Sequence, residues 1–334
     1  MTEVQLDEAL FEGAVSFERG HDWIKPWRLP FPKLRLFPPD DALVPRAETA
    51  AGVRLRFRTN AETLVVALVP ADQPRLFDLT IDGDLLMTVC AEAGNNQVLF
   101  PFVPEGDKIV ELWLPQGHPV AMRHLLIEDQ AECSAIEDTR PRWIAYGSSI
   151  THCGAAHSPA RTWPATVARE RELNLTCLGY GGNCHLEPMV AMMIRDMPAD
   201  FISLKVGINV LGGMSLSGRT FAPAVIGFVQ IIREKHPHVP IAVISPIISP
   251  PREEACNAVG LSLTRMRAQI QDAVRRMIDC GDAKLHYFSG LDLFGEDLVH
   301  DYLPDEVHPN GDGYEILGHN FSKLVFDKIA LPRV

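Results

Sequence analysis

The pattern of apolar and polar positions divides the chain in two. Between about residues 50 and 130 the apolar residues come in short runs of period two. Val53-Arg54-Leu55-Arg56-Phe57-Arg58 alternates apolar with basic, as a half-buried strand does. Further strand-like runs lie at 63–69, 76–81, 85–89, 97–102, 108–114 and 122–127. Asp82-Gly83, between two of them, is a hairpin signal. No helical period interrupts the series, which predicts an antiparallel, jelly-roll-like β-sandwich. The first 45 residues are rich in proline and aromatics (Trp23, Trp27, Pro30, Pro32, Pro38, Pro39) and predict an irregular surface arm with short strands.

From about residue 140 the rhythm changes. Buried strands are predicted at 142–146, 175–178, 201–206, 241–245 and 285–288. They alternate with helices at 163–171, 187–196, 221–234, 261–278 and 313–329. Thr162 is placed to cap the first helix, with Pro164 in its first turn, and Gly281 follows the end of the long one. Alternating strands and helices imply a parallel sheet covered on both faces, with ligands bound at the carboxyl ends of its strands. The polar stretch 129–140 reads as the boundary. This predicts a sandwich domain over 1–135 and an α/β domain over 140–334.

Composition narrows the class. The chain has 334 residues, 46% hydrophobic and 22% charged, as expected of an ordinary globular protein of two domains. The formal net charge of −12 argues against nucleic-acid or anionic-membrane partners, which favour basic surfaces. No apolar run approaches the ~20 residues of a membrane helix. The acidic start, Met1-Thr2-Glu3-Val4-Gln5-Leu6-Asp7-Glu8, lacks the basic and apolar regions of a signal peptide, so a cytoplasmic location is expected. Seven cysteines, with no Cys-x-x-Cys pair, fit reduced thiols better than a disulfide framework or zinc site. Whether the chain forms a homo-oligomer is left open.

The candidate chemistry sits in four segments. Asp305-Glu306-Val307-His308-Pro309 puts a carboxylate and an imidazole three residues apart. Gly147-Ser148-Ser149-Ile150-Thr151 follows the first predicted strand of the second half. Leu178-Gly179-Tyr180-Gly181-Gly182-Asn183 and Lys205-Val206-Gly207-Ile208-Asn209 follow the next two. Nucleophilic acyl chemistry needs a hydroxyl, a base to take its proton and an acid to orient that base. Each segment alone is commonplace: a serine pair caps turns, and an exposed loop often carries a histidine beside an acid.

Taken in order, the four segments resemble the SGNH (GDSL-type) hydrolase superfamily from about residue 140 to the C-terminus. The resemblance implies a three-layer, doubly wound, flavodoxin-like sheet. It implies Ser149 as nucleophile, His308 as general base and Asp305 as the acid orienting it. Ser148 stands where the family usually has an aspartate that is not the triad acid. The oxyanion hole implied comprises the Ser149 and Gly182 N–H groups and the Asn209 side-chain amide, with Gly181 as an alternative donor. Val210 replaces an acid that family members often carry after the asparagine. Thr151 stands where the α/β-hydrolase elbow has its second glycine, so that other motif is absent. No cofactor is implied, and no metal, since no metal-ligand motif such as His-Glu-x-x-His occurs.

The remaining polar residues divide between bland and functional readings. His152, His157, His185 and Glu187 are candidates to line an acyl or leaving-group pocket. Cys153 and Cys184 read as wall-lining residues. Arg161 and Trp163 suit a helix start better than substrate contact. Trp23, Trp27 and Phe31 offer a carbohydrate platform, though packing is the commoner role.

The first functional expectation is a serine esterase cleaving a small acyl group from a carbohydrate or small molecule. Segments 143–152 and 181–188 also resemble a bacterial branch with an N-terminal sandwich domain. That branch includes acyltransferases that decorate natural products from acyl-thioester donors. A third reading, a binding module with a degenerate site, rests only on Ser148 and Val210.

Overall fold

A computed structural model describes residues 1–331. The chain forms two compact units, one of Met1–Thr139 with His157–Cys177, the other of Arg140–Ala156 with Leu178 onward.

The first unit carries two six-stranded antiparallel sheets. One runs Ser16–Arg19, Ile24–Trp27, Met122–Ile127, Leu64–Leu68, Gln97–Phe100, with Thr2–Gln5 also pairing on Met122–Ile127. The other runs Cys133–Ala135, Arg54–Thr59, Lys108–Trp113, Arg75–Ile81, Asp84–Ala91, with Phe11–Glu12 pairing on Arg54–Thr59. Period-two alternation sends Leu55, Phe57, Val66, Phe77, Leu79, Val110, Leu112 and Leu125 into one core. At the Asp82-Gly83 hairpin both residues have positive φ, 50° and 93°, as a type I′ turn requires.

The short strands expected in the first 45 residues are present, but they are built into the sandwich. The first 45 residues supply four strands to the two sheets. These strands are two to four residues long, too short for an alternation to show in sequence. The polar stretch after residue 129 likewise contributes Cys133–Ala135 as an edge strand.

The segment His157–Cys177 belongs to the first unit through buried polar ties. Arg28 and Arg54 donate to the Cys177 and Leu175 carbonyls at 3.2 and 3.0 Å, and the Ala160 N–H donates to Asp78 at 2.6 Å.

The α/β sheet has the strand order Asn174–Gly179, Arg142–Gly147, Phe201–Lys205, Ile241–Ile244, Leu285–Phe288. In chain order this is 2-1-3-4-5, the flavodoxin-like winding. The pairings among the last four strands of this order are parallel and place Gly147, Lys205, Ile244 and Phe288 in one row. The segments that follow Gly147 and Lys205 therefore open at the same sheet edge. Trp143 stacks on Phe201 and on Phe321 of the Gly311–Phe326 helix, with ring centroids 6.1 and 5.4 Å apart. That packing anchors the helix directly after His308. The Leu263–Asp279 helix starts later than its apolar pattern suggests because Ser262 caps it, accepting from the Arg265 N–H at 3.3 Å.

Candidate active site

Ser149 is the first residue of a four-residue helix at the end of the Arg142–Gly147 strand. Ser148 caps that helix, its hydroxyl accepting from the Ile150 N–H at 3.2 Å. Serine and aspartate are both good N-caps, which explains how serine can stand where the family has aspartate. The turn is tight: a Cβ on Gly147 would lie 2.1 Å from the Thr151 hydroxyl.

His308 and Asp305 come from the loop before the Gly311–Phe326 helix. One Asp305 oxygen accepts from the His308 and Val307 N–H groups at 2.6 and 3.0 Å, folding the loop around the carboxylate. The other lies 2.7 Å from His308 Nδ1, and His308 Nε2 lies 2.8 Å from Ser149 Oγ. A carboxylate only accepts, so Nδ1 carries the proton, and Nε2 presents its lone pair to the serine hydroxyl. Burial works against the Asp305 charge, but the bonds from the His308 ring and the two N–H groups outweigh it and lower its pKa. The relay is open to solvent on one side: the His308 and Asp305 side chains are 39% and 55% exposed.

The second segment turns sharply. The Asn183 N–H donates to the Tyr180 carbonyl at 2.9 Å, and Gly182 has φ +74°. This is a type II turn with its third residue in the left-handed region, which glycine adopts without strain. Among the described residues no hydrogen bond uses the Gly182 N–H. Gly181, the neighbouring candidate, has its carbonyl taken by Asn183 Nδ2 at 2.7 Å.

Asn209 lies in the Ile208–Gly213 helix, and its Oδ1 accepts from the Cys184 N–H at 3.1 Å. That bond fixes the amide and leaves Nδ2 as a donor. Asn209 and the Gly182 turn are thereby tied to each other. Val210, in place of an acid, is fully buried.

The other candidates sort by their contacts. His152 Nδ1 donates to the Gly179 carbonyl at 3.1 Å and is buried, a packing role. His185 stands beside the Gly182 turn, with Nε2 3.0 Å from the Gly182 carbonyl and Nδ1 2.7 Å from Ser215 Oγ. Cys153 and Cys184 are buried, their thiols directed at the Ile150 and Lys205 carbonyls. Trp163 is buried at the start of its helix, as a helix-start role requires. Of the three platform candidates, Trp27 is buried against Phe31, while Trp23 and Phe31 are half-buried. Among the described residues no group of three or more His, Cys, Asp or Glu side chains is arranged to hold a metal ion.

Two buried groups beside the site had no sequence signal of function. Tyr146, three residues before Ser149, donates to Glu187 at 3.0 Å. Lys205, the last residue of the Phe201–Lys205 strand, is 4% exposed. Both read in sequence as ordinary residues of apolar strands.

Comparison with known proteins adds lineage to this geometry. Residues 141–325 match the GDSL-like lipase/acylhydrolase family, and residues 9–123 match the SsfX3 N-terminal domain family. Among solved structures, the salicylyl-acyltransferase SsfX3 from a tetracycline biosynthetic pathway is 34% identical, covering 96% of this chain and 95% of that one at a TM-score of 0.88. A putative GDSL-like lipase from Bacteroides ovatus is 22% identical, covering 99% and 98% at a TM-score of 0.80. A family two carbohydrate esterase from Clostridium thermocellum, in complex with cellohexaose, is 13% identical, covering 84% and 93% at a TM-score of 0.66. The last two likenesses are of fold alone. No curated protein matched the sequence.

Proposed function

The chain belongs to the GDSL-like lipase/acylhydrolase family and is an SGNH-type enzyme, and from that premise we propose that it cleaves a small acyl ester through an acyl-enzyme on Ser149. The observation that carries this reading is the hydrogen-bonded series Ser149 Oγ, His308 Nε2, His308 Nδ1, Asp305. As Ser149 attacks the ester carbonyl, His308 takes its proton, and Asp305 stabilises the imidazolium that forms. The Ser149 N–H, Gly182 N–H and Asn209 Nδ2 receive the developing oxyanion. His308 then returns the proton to the leaving alkoxide and activates a water to release the acyl group.

A second reading is acyl transfer, in which an acceptor alcohol replaces that water and a thioester supplies the acyl group. It is favoured by one specific observation: the 34%-identical relative spanning both halves of the chain is a salicylyl-acyltransferase. The carbohydrate esterases of like fold keep an acylated sugar among the candidate substrates for hydrolysis. The binding-module reading loses ground because the relay is assembled despite Ser148 and Val210. We retain 1–135 and 140–334 as the functional domains, a division supported by the two family matches. A cytoplasmic location is supported by the odd number of cysteines, seven, with no Cys-x-x-Cys pair among them. Among the described residues no helix is long and apolar enough to cross a membrane. Nothing in the −12 charge invites nucleic acid.

The test is intact mass after incubation with a fluorophosphonate. Wild type should gain one adduct and Ser149→Ala none. No adduct on folded wild type would sink the acyl-enzyme and promote the binding module. Turnover of acetyl esters and acyl thioesters, with and without added alcohols, then separates hydrolysis from transfer.

A further inference from the structure

The loop that carries Gly182 is fixed residue by residue. Four successive N–H groups have defined acceptors. Asn183 donates to the Tyr180 carbonyl at 2.9 Å, and Cys184 to Asn209 Oδ1 at 3.1 Å. His185 donates to both Glu187 oxygens at 3.2 and 3.3 Å, and Leu186 to the Tyr146 hydroxyl at 3.2 Å. The last two acceptors are one unit, because the Tyr146 hydroxyl itself donates to Glu187 at 3.0 Å.

Three features make this pair more than packing. Tyr146 lies on the strand that delivers Ser149, so a single side chain connects that strand to the Gly182 loop. Its ring is immobilised, stacked on Phe228 at 4.9 Å and edge-on to Tyr180 at 6.4 Å. Finally, Leu186 has φ +64°, a left-handed conformation that a leucine adopts only where its surroundings impose it. The Tyr146 hydroxyl holds the N–H of that very residue. Burial keeps the phenol protonated and able to donate, and it raises the Glu187 pKa despite the hydrogen bonds that favour the charge.

We propose that Tyr146 and Glu187 are positioning residues that hold the Gly182 turn in register with the nucleophile strand. The inference rests on the oxyanion role proposed for Gly182. It concerns the placement of a donor that matters most when charge develops on the substrate oxygen, so its loss falls on the transition state. Substrate binding in the ground state is little affected.

Tyr146→Phe removes the acceptor for the Leu186 N–H and the donor to Glu187 without changing the ring. Glu187→Gln keeps the size and an acceptor for the His185 N–H but cannot satisfy both partners as before. Each variant should lower kcat about tenfold, less than the 10²–10³ seen on removing an oxyanion donor outright, with KM within about twofold. Inhibition by a phenylboronic acid, which forms a tetrahedral adduct on the serine, should weaken by the same factor as kcat. Melting temperatures, measured in parallel, identify a variant that has merely unfolded; if Tyr146→Phe does not fold, Glu187→Gln carries the comparison. A folded variant with kcat within twofold of wild type overturns the proposal. So does a rise in KM that accounts for the whole loss while boronate inhibition is unchanged. Those results would leave the acyl-enzyme standing, since wild type would still label at Ser149. Failure of wild type to label would remove both.

Discussion

At the end of the Phe201–Lys205 strand, two residues before Gly207, the sheet buries a lysine. Lys205 is 4% exposed, and burial pulls its pKa down from 10.5 to about 8; nearby Cys184 and Cys153 oppose the shift, and Arg267 adds to it. An unfolded chain keeps this proton up to its ordinary pKa, whereas the folded one releases it near pH 8. Between those values the unfolded state binds more protons, so the Lys205 contribution makes stability rise with pH. Below pH 8 both states hold the proton and the penalty for burying the charge is present in full. Lys205→Met removes that penalty while keeping the side-chain volume. The variant should therefore be more stable than wild type at pH 7, and its advantage should shrink by up to about 3 kcal/mol by pH 10.5. Urea unfolding of both proteins at the two pH values checks this. A difference that stays constant across the range, or grows, would show that Lys205 is not held as a charge in a desolvated site. No sequence pattern announces the burial, because one lysine at the end of an apolar run reads as a strand terminus reaching solvent.

Elements were legible where they were long or buried on both faces. The strand predicted at 142–146 runs Arg142–Gly147, and the helix predicted at 313–329 runs Gly311–Phe326. The earlier start of that helix follows from Asn310, whose side chain accepts from the Gly313 N–H at 2.9 Å. Three of the five predicted helices begin and end within one residue of the observed bounds, and the starts that differ, by two residues, are the capped ones at Leu263 and Gly311. Three segments of the site were visible because each combines glycines with a chemically capable residue directly beyond a strand, and the fourth because it sets an acid and a histidine three residues apart before a helix. The hydrogen bonds holding those segments were not visible, since Tyr146 meets Glu187, and Asn209 the Cys184 N–H, only in the folded chain. Ser148 gives a test at this scale. It is 1% exposed and caps the short helix that begins with Ser149. Ser148→Ala should lose about 1 kcal/mol of stability with the cap, seen as a lower urea midpoint. Ser148→Asp should keep the cap and activity within about threefold, in line with the family's usual residue. If Ser148→Asp were inactive while Ser148→Ala were not, the cap would be irrelevant and the serine hydroxyl would have some other task.

At the scale of the whole molecule, distant segments are joined by buried charge. Arg54 is fully buried and engages all three guanidinium nitrogens. It donates to Glu111 at 3.2 Å, to the Gly52 carbonyl at 3.3 Å, to the Leu175 carbonyl at 3.0 Å and to Asn174 at 2.9 Å. The same guanidinium lies 5.0 Å above the Trp113 ring. Residue 54 is thus bound to a segment 120 positions away. In sequence, Val53-Arg54-Leu55-Arg56 reads as a strand with its arginines facing water, because alternation cannot say what covers the polar face. Here Arg54 and Arg56 are both buried, with Glu111 and Asp138 as their acids. Replacing a buried ion pair wholesale with apolar residues is often neutral, but removing one partner leaves the other charge unpaired in a poor solvent. Arg54→Met should therefore lose about 3–5 kcal/mol, a large share of the about 5–15 kcal/mol that holds a typical domain together. Arg54→Met with Glu111→Leu should recover part of that loss, because the stranded carboxylate goes with the guanidinium. Urea midpoints of the single and double variants decide it. If Arg54→Met loses less than about 1 kcal/mol, water or a rearranged Arg56 satisfies Glu111, and the long-range tie through Asn174 and Leu175 contributes little to the fold. If the single variant is badly destabilised and the double variant is no better, the loss lies instead in the bonds to Asn174 and Leu175, and those make the tie.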